Sequence, residues 1–401
     1  MTRKLLIVGL GHVGATYARI ASENKDMFDS NYKLEIWGYD TNEELIQDIT
    51  IGEHELSSYI KYAESDPSSI GKQASCILMC VSTEIKNNNR IDAENIVRTL
   101  KDLDLSPGVR IIIKSTVPIG FCDEIVRQFP NPIFFCPEFL REGTVAYNDV
   151  MKTKRIYLAY DKNKIGHASN IDVVTKYLKV LYPSVTTVAQ ATFKELEMVK
   201  LARNNWYAMR VSFFNELHRL CTLDGIDTDN VIDYMCGDSR IGDFYNTLSF
   251  GFGGYCLPKD SRELTEHANE QAAKYSEAIG FPLLNGVQSS NNEHLWFHSK
   301  NILKAAKERD YIVFYELGFK ESSNNPTSSA TSILLNLILL YSNKNIKLIV
   351  SDDYKFDIKN ERVSIITEED VVDGDLIVTE WKISYVLSKF KNCEIYHPRM
   401  T

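Results

Sequence analysis

The sequence predicts an α/β fold, with a doubly wound parallel sheet in the first part of the chain, a long helical segment after it, and a second α/β block towards the end. Three observations carry this expectation. Short apolar runs rich in Ile and Val alternate with helical stretches through the first part of the chain. From about residue 191 the pattern becomes one long helical stretch, FKELEMVKLARNNWYAMRVSFFNELHRLC. Near residue 295 the strand–helix alternation returns. The expected division is therefore 1–190, 191–294 and 295–401.

Each element follows from local chemistry. KLLIV (4–8), LEIWGY (34–39), CILMCV (76–81), VRIIIK (109–114) and residues 133–135 are short and largely apolar, as strands covered on both faces must be. Helical stretches at 13–24 and 93–103 separate several of them, so the strands are expected to run parallel. The last block repeats the pattern as YIVFYEL, TSILLNLILLYS, IKLIVSD, DLIVTEW and CEIYH.

Composition narrows the function classes. Hydrophobic residues make up 44% and charged residues 25% of the 401, as in globular proteins of two to three domains. Net charge is −9 with no basic block, which argues against a nucleic-acid surface. An anionic ligand must then be met by a local cluster of Lys, Arg and backbone N–H groups. No run of about 18 apolar residues exists for a membrane span. The apolar start of MTRKLLIVGLGHVG is too short and too broken by glycine for a signal peptide. The eight cysteines lack C-x-x-C spacing, which disfavours a zinc site or disulfide framework and points to a reducing cytoplasm.

Gly9-Leu10-Gly11-His12-Val13-Gly14 is a G-x-G-x-x-G turn that directly follows an apolar strand and opens a helix. Its glycines allow a tight turn, close approach to a pyrophosphate and close helix packing, with the helix N-terminus facing the phosphates. Asp40 ends the next strand, where an acid accepts from a ribose 2′-hydroxyl and repels a 2′-phosphate, so NAD is expected rather than NADP. The long interval to Asp40 is taken up by a loop around Lys25–Tyr32.

On the long helix, Lys200, Asn204 and Asn215 fall within about 60° of one another at about 100° per residue. Leu196, Val199, Leu201, Trp206, Val211, Phe213 and Phe214 are apolar over much of the remaining surface, so the helix is expected to be buried and its polar groups to meet each other or a ligand. Two loops end sheet strands, where open α/β sheets bind ligands: Lys114-Ser115-Thr116-Val117-Pro118-Ile119-Gly120, and Pro137-Glu138-Phe139-Leu140-Arg141-Glu142-Gly143. The acids of the second suit either a surface ion pair or general bases. Finally, GFGGYCLPKD (251–260) sets Cys256 among glycines with Lys259 close by, a setting that favours the thiolate.

Together these stretches resemble the UDP-glucose/GDP-mannose dehydrogenase family, most closely its short bacterial UDP-glucose 6-dehydrogenases. GLGHVG, KSTVPIGF, PEFLREG, KLARNN, FNEL, RIGDFYN, FGFGGYCLPKD and TEW occur in the family's order and at compatible spacing. The resemblance implies two Rossmann-like domains joined by a long central helical segment that forms a homodimer. The three blocks become an NAD-binding domain, a dimerisation segment with the cysteine loop, and a domain for the UDP of a nucleotide sugar. It implies NAD-dependent, four-electron oxidation of UDP-glucose to UDP-glucuronate through a Cys256 thiohemiacetal and thioester. Lys200 and Asn204 then stabilise oxyanions at C6, Asp260 positions or activates water, and Thr116 and Glu142 serve as water-binding and acid–base groups. The implied cofactor contacts are Gly9, Gly11, His12, Val13, Gly14, Asp40, Thr83, Thr116, Glu142 and Lys259. Glu138, Phe139, Leu140, Lys200, Asn204, Tyr245, Asn246, Ser249, Gly253 and Lys320 line the implied substrate pocket, with Arg240 reaching a neighbouring subunit.

The chain departs from the family pattern in three places. Cys80-Val81-Ser82-Thr83-Glu84 lacks the usual proline of that turn, and Glu316 and Thr327 stand where short members often carry arginine. These departures bear on the alternatives: the same chemistry on a UDP-N-acetylhexosamine or GDP-mannose, or a non-catalytic nucleotide-sugar-binding homologue. A two-electron hydroxyacid dehydrogenase shares the Rossmann start but needs no cysteine.

Overall fold

The computed structural model describes all residues except 142, 144, 164–166, 276–278, 319–327, 351–359 and 401, and the side chains of 167–169. The chain divides into two compact units, Met1–Leu201 and Ala202–Thr401.

The first unit contains β1 (Thr2–Val8), α1 (His12–Glu23), β2 (Lys33–Tyr39), α2 (Glu43–Ile51), β3 (Tyr62–Glu64), α3 (Pro67–Gly71) and β4 (Cys76–Met79). It continues with β5 (Glu84–Ile85), β6 (Ile91–Asp92), α4 (Glu94–Asp102), β7 (Arg110–Ile113), α5 (Phe121–Gln128), β8 (Ile133–Phe135), α6 (Ala146–Met151), β9 (Arg155–Tyr160), α7 (His167–Leu181) and β10 (Thr187–Ala191). Its sheet runs β10-β9-β8-β7-β4-β1-β2-β3, with β5 and β6 a separate hairpin. The strands from β3 to β8 are mutually parallel, and the winding reverses between β1 and β4, which is the doubly wound arrangement expected. The reason for the continuous apolar runs is now visible. Leu5 and Ile7 of β1 enter one core with Tyr17 and Tyr177, while Leu6 and Val8 enter the opposite core with Ile96 and Leu100. The pair β9 and β10 extends the sheet beyond the expected strands, β9 running antiparallel to β8. β10 and the three-residue β3 are edge strands with half-exposed faces, so they lack an apolar run to mark them.

The helix α8 (Phe193–Asp224) starts in the first unit and runs into the second. The second unit adds α9 (Thr228–Cys236), α10 (Cys256–Lys274), α11 (Pro282–Ala305), β11 (Tyr311–Tyr315), α12 (Ala330–Tyr341), β12 (Asn345–Ile349), β13 (Val363–Ile366), β14 (Leu376–Val378), α13 (Ile383–Lys389) and β15 (Glu394–Tyr396). Its sheet, β13-β12-β11-β14-β15, is parallel throughout and reverses between β11 and β14. A core of Phe250, Leu295, Phe314 and Leu334 lies against it.

One expectation is corrected. The apolar residues of α8 are not all covered: Trp206 is 50%, Phe213 49% and Leu220 57% exposed. They recur every seven residues, so they form a seam along one face of the helix. Among the described residues no helix is long and apolar enough to cross a membrane.

Candidate active site

At the end of β1, Gly9 adopts φ 86°, and a Cβ there would meet the backbone of Cys80 and Val81 at 3.0 Å. A Cβ on Gly14 would lie 1.8 Å from the Gly9 carbonyl oxygen, so the helix packs against the turn only with glycine present. Around Gly11 nothing would meet a Cβ within 4 Å, and no side chain caps the α1 N-terminus or places an acid in its first turn. The amides of this helix end are therefore not neutralised from within, and His12 beside them is exposed while Val13 is half-buried. Asp40 accepts from the Leu10 N–H at 2.7 Å and the Asn42 N–H at 3.0 Å, which fixes its carboxylate at the end of β2 beside the glycine turn. Open backbone for a pyrophosphate and a positioned acid for a ribose together fit NAD.

The loops after β4 and β7 are tied together. The buried Thr83 hydroxyl donates to the Thr116 carbonyl at 2.8 Å, and Ser115 Oγ donates to the Val81 carbonyl at 2.7 Å. Glu197, wholly buried at the start of α8, accepts from the Gly120 and Cys122 amides at 2.6 and 2.8 Å and so caps α5 below the STVPIG turn. Burial pushes its carboxyl up despite those bonds. The sequence analysis did not single Glu197 out, although it precedes Lys200 by one helical turn.

Glu138 points inward. Its Oε1 accepts from the Phe139 and Leu140 amides at 2.7 and 2.8 Å, and its Oε2 meets the Tyr17 hydroxyl and, at 3.2 Å, the buried Lys114 ammonium. Burial alone would raise this carboxyl, but Lys114, Tyr17 and the two amides outweigh it and hold it below the usual range. Its geometry is that of an organiser: it folds the Phe139–Leu140 turn back on itself. Lys200 is buried, with Nζ 5.9 Å from the centroid of the Phe139 ring. Glu142 lies outside the described residues.

In the second unit, Cys256 is exposed and is the first residue of α10. Behind it, Asp260 is wholly buried between Lys259 Nζ at 2.9 Å and Asn204 Nδ2 at 2.5 Å. Burial alone would lower the Lys259 ammonium; the charges of Asp260 and Cys256 outweigh it and raise it above its ordinary value. Asn204, on α8, thus meets the acid of the PKD stretch directly.

The loop leading to Cys256 is irregular and buried, so its peptide groups need partners. Asn215 of α8 takes the Ser249 N–H at 3.1 Å, and His294 of α11 approaches the Ser249 carbonyl at 2.8 Å. Glu380, just after β14, takes the Phe250 N–H at 3.2 Å. Asn291 of α11 holds both ends of the Phe252 peptide group pair, accepting from its N–H at 2.8 Å and donating to its carbonyl at 3.0 Å. Gly254 N–H reaches the Ser328 carbonyl at 2.8 Å, and a Cβ on Gly253 would lie 2.5 Å from the Ala330 nitrogen, which is why only glycine fits there. The Ser249 hydroxyl is itself engaged by Asn215 at 3.2 Å. Asn291 and His294 had no signal in the sequence; Glu380 had one, the TEW motif, without a role attached.

A further loop, 238–246, is braced by Arg210, whose guanidinium donates to the carbonyls of Ile241, Gly242 and Phe244 at 2.9–3.0 Å. It carries Tyr245, stacked on Tyr207 with centroids 4.3 Å apart, and Asn246, whose amide meets Asp243 and Cys236. Arg240 is 87% exposed and paired with Asp238. Glu316 is neutralised by Lys382, 2.5 Å away, so the charge reversal noted in the sequence is compensated locally. Lys320 and Thr327 lie outside the described residues.

Comparison with known proteins agrees with this geometry. Residues 3–178 match the UDP-glucose/GDP-mannose dehydrogenase family, NAD binding domain, and residues 194–293 match the family's central domain. A UDP-glucose 6-dehydrogenase of Campylobacter jejuni is 31% identical over 357 residues, 86% of each chain. One of Streptococcus pneumoniae is 28% identical over 334 residues, 82% of each. The fold matches that of a UDP-glucose dehydrogenase from Pyrobaculum islandicum with a TM-score of 0.79 at 20% identity, over 99% of this chain and 97% of that one. A glycine turn built for NAD, a gripped cysteine loop and these relatives lead to one statement: the chain belongs to the UDP-glucose/GDP-mannose dehydrogenase family of NAD-dependent nucleotide-sugar dehydrogenases.

Proposed function

We propose that this chain oxidises UDP-glucose to UDP-glucuronate, removing four electrons with Cys256 as covalent nucleophile. The observation that carries this reading is the exposed Cys256 at the start of α10, on a loop held from several sides, with Lys259, Asp260 and Asn204 linked behind it. NAD, bound twice in succession, supplies the hydride acceptors. The thiolate of Cys256 adds to the C6 aldehyde left by the first oxidation; the C–S bond forms as the carbonyl π bond opens, and the alkoxide takes a proton to give a thiohemiacetal. Loss of the second hydride and the hydroxyl proton leaves a thioester. Water then adds, the C–S bond breaks, and the carboxylate and thiolate are released with two protons. Holding the aldehyde covalently keeps it from escaping between the two oxidations. Lys200 and Asn204 are assigned the oxyanions at C6, and Asp260 the water. Thr116 and Glu142 are assigned water-binding and acid–base roles, and Glu138 the ordering of the Phe139–Leu140 turn against the sugar.

The working unit is read as a homodimer. A groove of about 480 Å³ beside the α8 seam is lined by Trp206, Phe213, Met235, Arg240 and Leu283, which suits a second copy of the chain. Arg240 is then directed at the neighbouring subunit's sugar.

The test is the amount of NADH formed per nucleotide sugar consumed. Two per UDP-glucose is the expected result. Two per GDP-mannose or UDP-N-acetylhexosamine, with none from UDP-glucose, would keep the chemistry and move the substrate. One per molecule would sink the thioester route.

A further inference from the structure

The grips on the cysteine loop differ in one property. The amides of Asn215 and Asn291 do not titrate, and burial lowers His294 to about 4, so it stays neutral at physiological pH. Glu380 alone among them ionises near neutrality, because burial raises its carboxyl to about 7. The groups that meet it are the Thr331 hydroxyl of α12, donating at 2.7 Å, and the Phe250 N–H of the loop. From beyond β15, the His397 ring lies 3.1 Å from the Glu380 carbonyl oxygen, and burial lowers that ring to about 4. His298 of α11, which touches His294, is likewise kept neutral by burial. Among the described residues no Lys or Arg shifts the Glu380 carboxyl. A buried carboxylate without a cation remains costly even when it accepts two hydrogen bonds, as the raised carboxyl of Glu380 reflects. A neutral glutamine of the same shape would satisfy Thr331 and Phe250 at less cost.

We propose that Glu380 is a positioning residue for Cys256: its carboxylate, by accepting from the Phe250 N–H, sets the path of the loop that presents the thiol. The bond is charge-assisted when the carboxyl is ionised and weaker when it is protonated. The loop is therefore held more firmly on the alkaline side of neutrality than on the acid side. The proposal rests on the reading of Cys256 as nucleophile, and its experiment separates the two.

The experiment follows alkylation of Cys256 by iodoacetamide, peptide by peptide, from about pH 5 to about pH 9, alongside steady-state turnover. In the natural chain the rate should show a step near neutrality in addition to that of the thiol itself. Glu380→Gln, which keeps the shape and the acceptor, should lose that lower step and retain the other. Glu380→Ala should lower kcat about tenfold or more while KM for NAD changes less than about twofold. A Gln variant that keeps both steps would overturn the proposal, as would an Ala variant with natural alkylation and kcat. Cys256→Ser, run in parallel, tests the underlying reading. If it continues to make two NADH per sugar the nucleophile assignment fails, whereas the alkylation profile of the Glu380 variants judges the grip by itself.

Discussion

Lys114 and Glu138 form a buried ion pair beneath two of the candidate site loops. Lys114 is wholly buried, and its ammonium meets the Tyr182 hydroxyl and the Glu138 carboxylate. Burial works against both charges, yet Glu138 is held below its ordinary range and Lys114 above its own, the signature of a pair that each partner keeps ionised. Replacing Lys114 by Met strands a carboxylate, which costs about 3–5 kcal/mol at neutral pH. The sign of the pH dependence follows. The depressed Glu138 contributes stability above the ordinary Glu range and loses it in acid. In Lys114→Met the carboxyl can shed its penalty by taking a proton. The difference in urea-unfolding free energy between natural and variant chains should therefore shrink as pH falls from about 7 to about 4. A difference that stays constant would mean that Lys114 acts by packing alone. The KSTVPIG and PEFL stretches were legible as candidate site loops, but not the ion pair beneath them: Lys114 and Glu138 are distant in sequence, and the fold brings them into direct contact beside Tyr17 and Tyr182.

The helix α8 was the easiest element to foresee and the one whose surroundings were misjudged. Its length and its pair Lys200 and Asn204 follow from a helical period, and Asn204 does meet a partner, Asp260. Asn215, grouped with them by angle, instead holds Ser249. An apolar surface nearly all round reads as burial, but a single chain leaves Trp206, Phe213 and Leu220 uncovered. A hydrophobic period says that a face wants cover, not which chain supplies it. If a second copy does, Trp206→Glu should weaken self-association by about 30-fold or more, as loss of a buried aromatic anchor does. Sedimentation of the two forms at matched concentrations would show it. A natural chain that sediments as a monomer would sink the dimer reading.

At the scale of the whole molecule, association and stability are linked. If the α8 seam is covered by a partner, the melting midpoint should rise with protein concentration, and Trp206→Glu should flatten that rise. A midpoint independent of concentration in the natural chain would argue that the seam stays open. The sequence by itself determined the local features: the Gly9–Gly14 turn at a strand end, the parallel strands with two apolar faces, and the presence of a cysteine loop rich in glycine. Each depends on neighbours a few residues apart, where steric limits and periodicity act directly. Only the tertiary structure decided which buried side chains hold that loop. Asn215, Asn291, His294 and Glu380 come from a helix, another helix and a strand end widely separated along the chain. An irregular buried backbone must find donors and acceptors wherever the fold brings them, and no local pattern records which ones those will be.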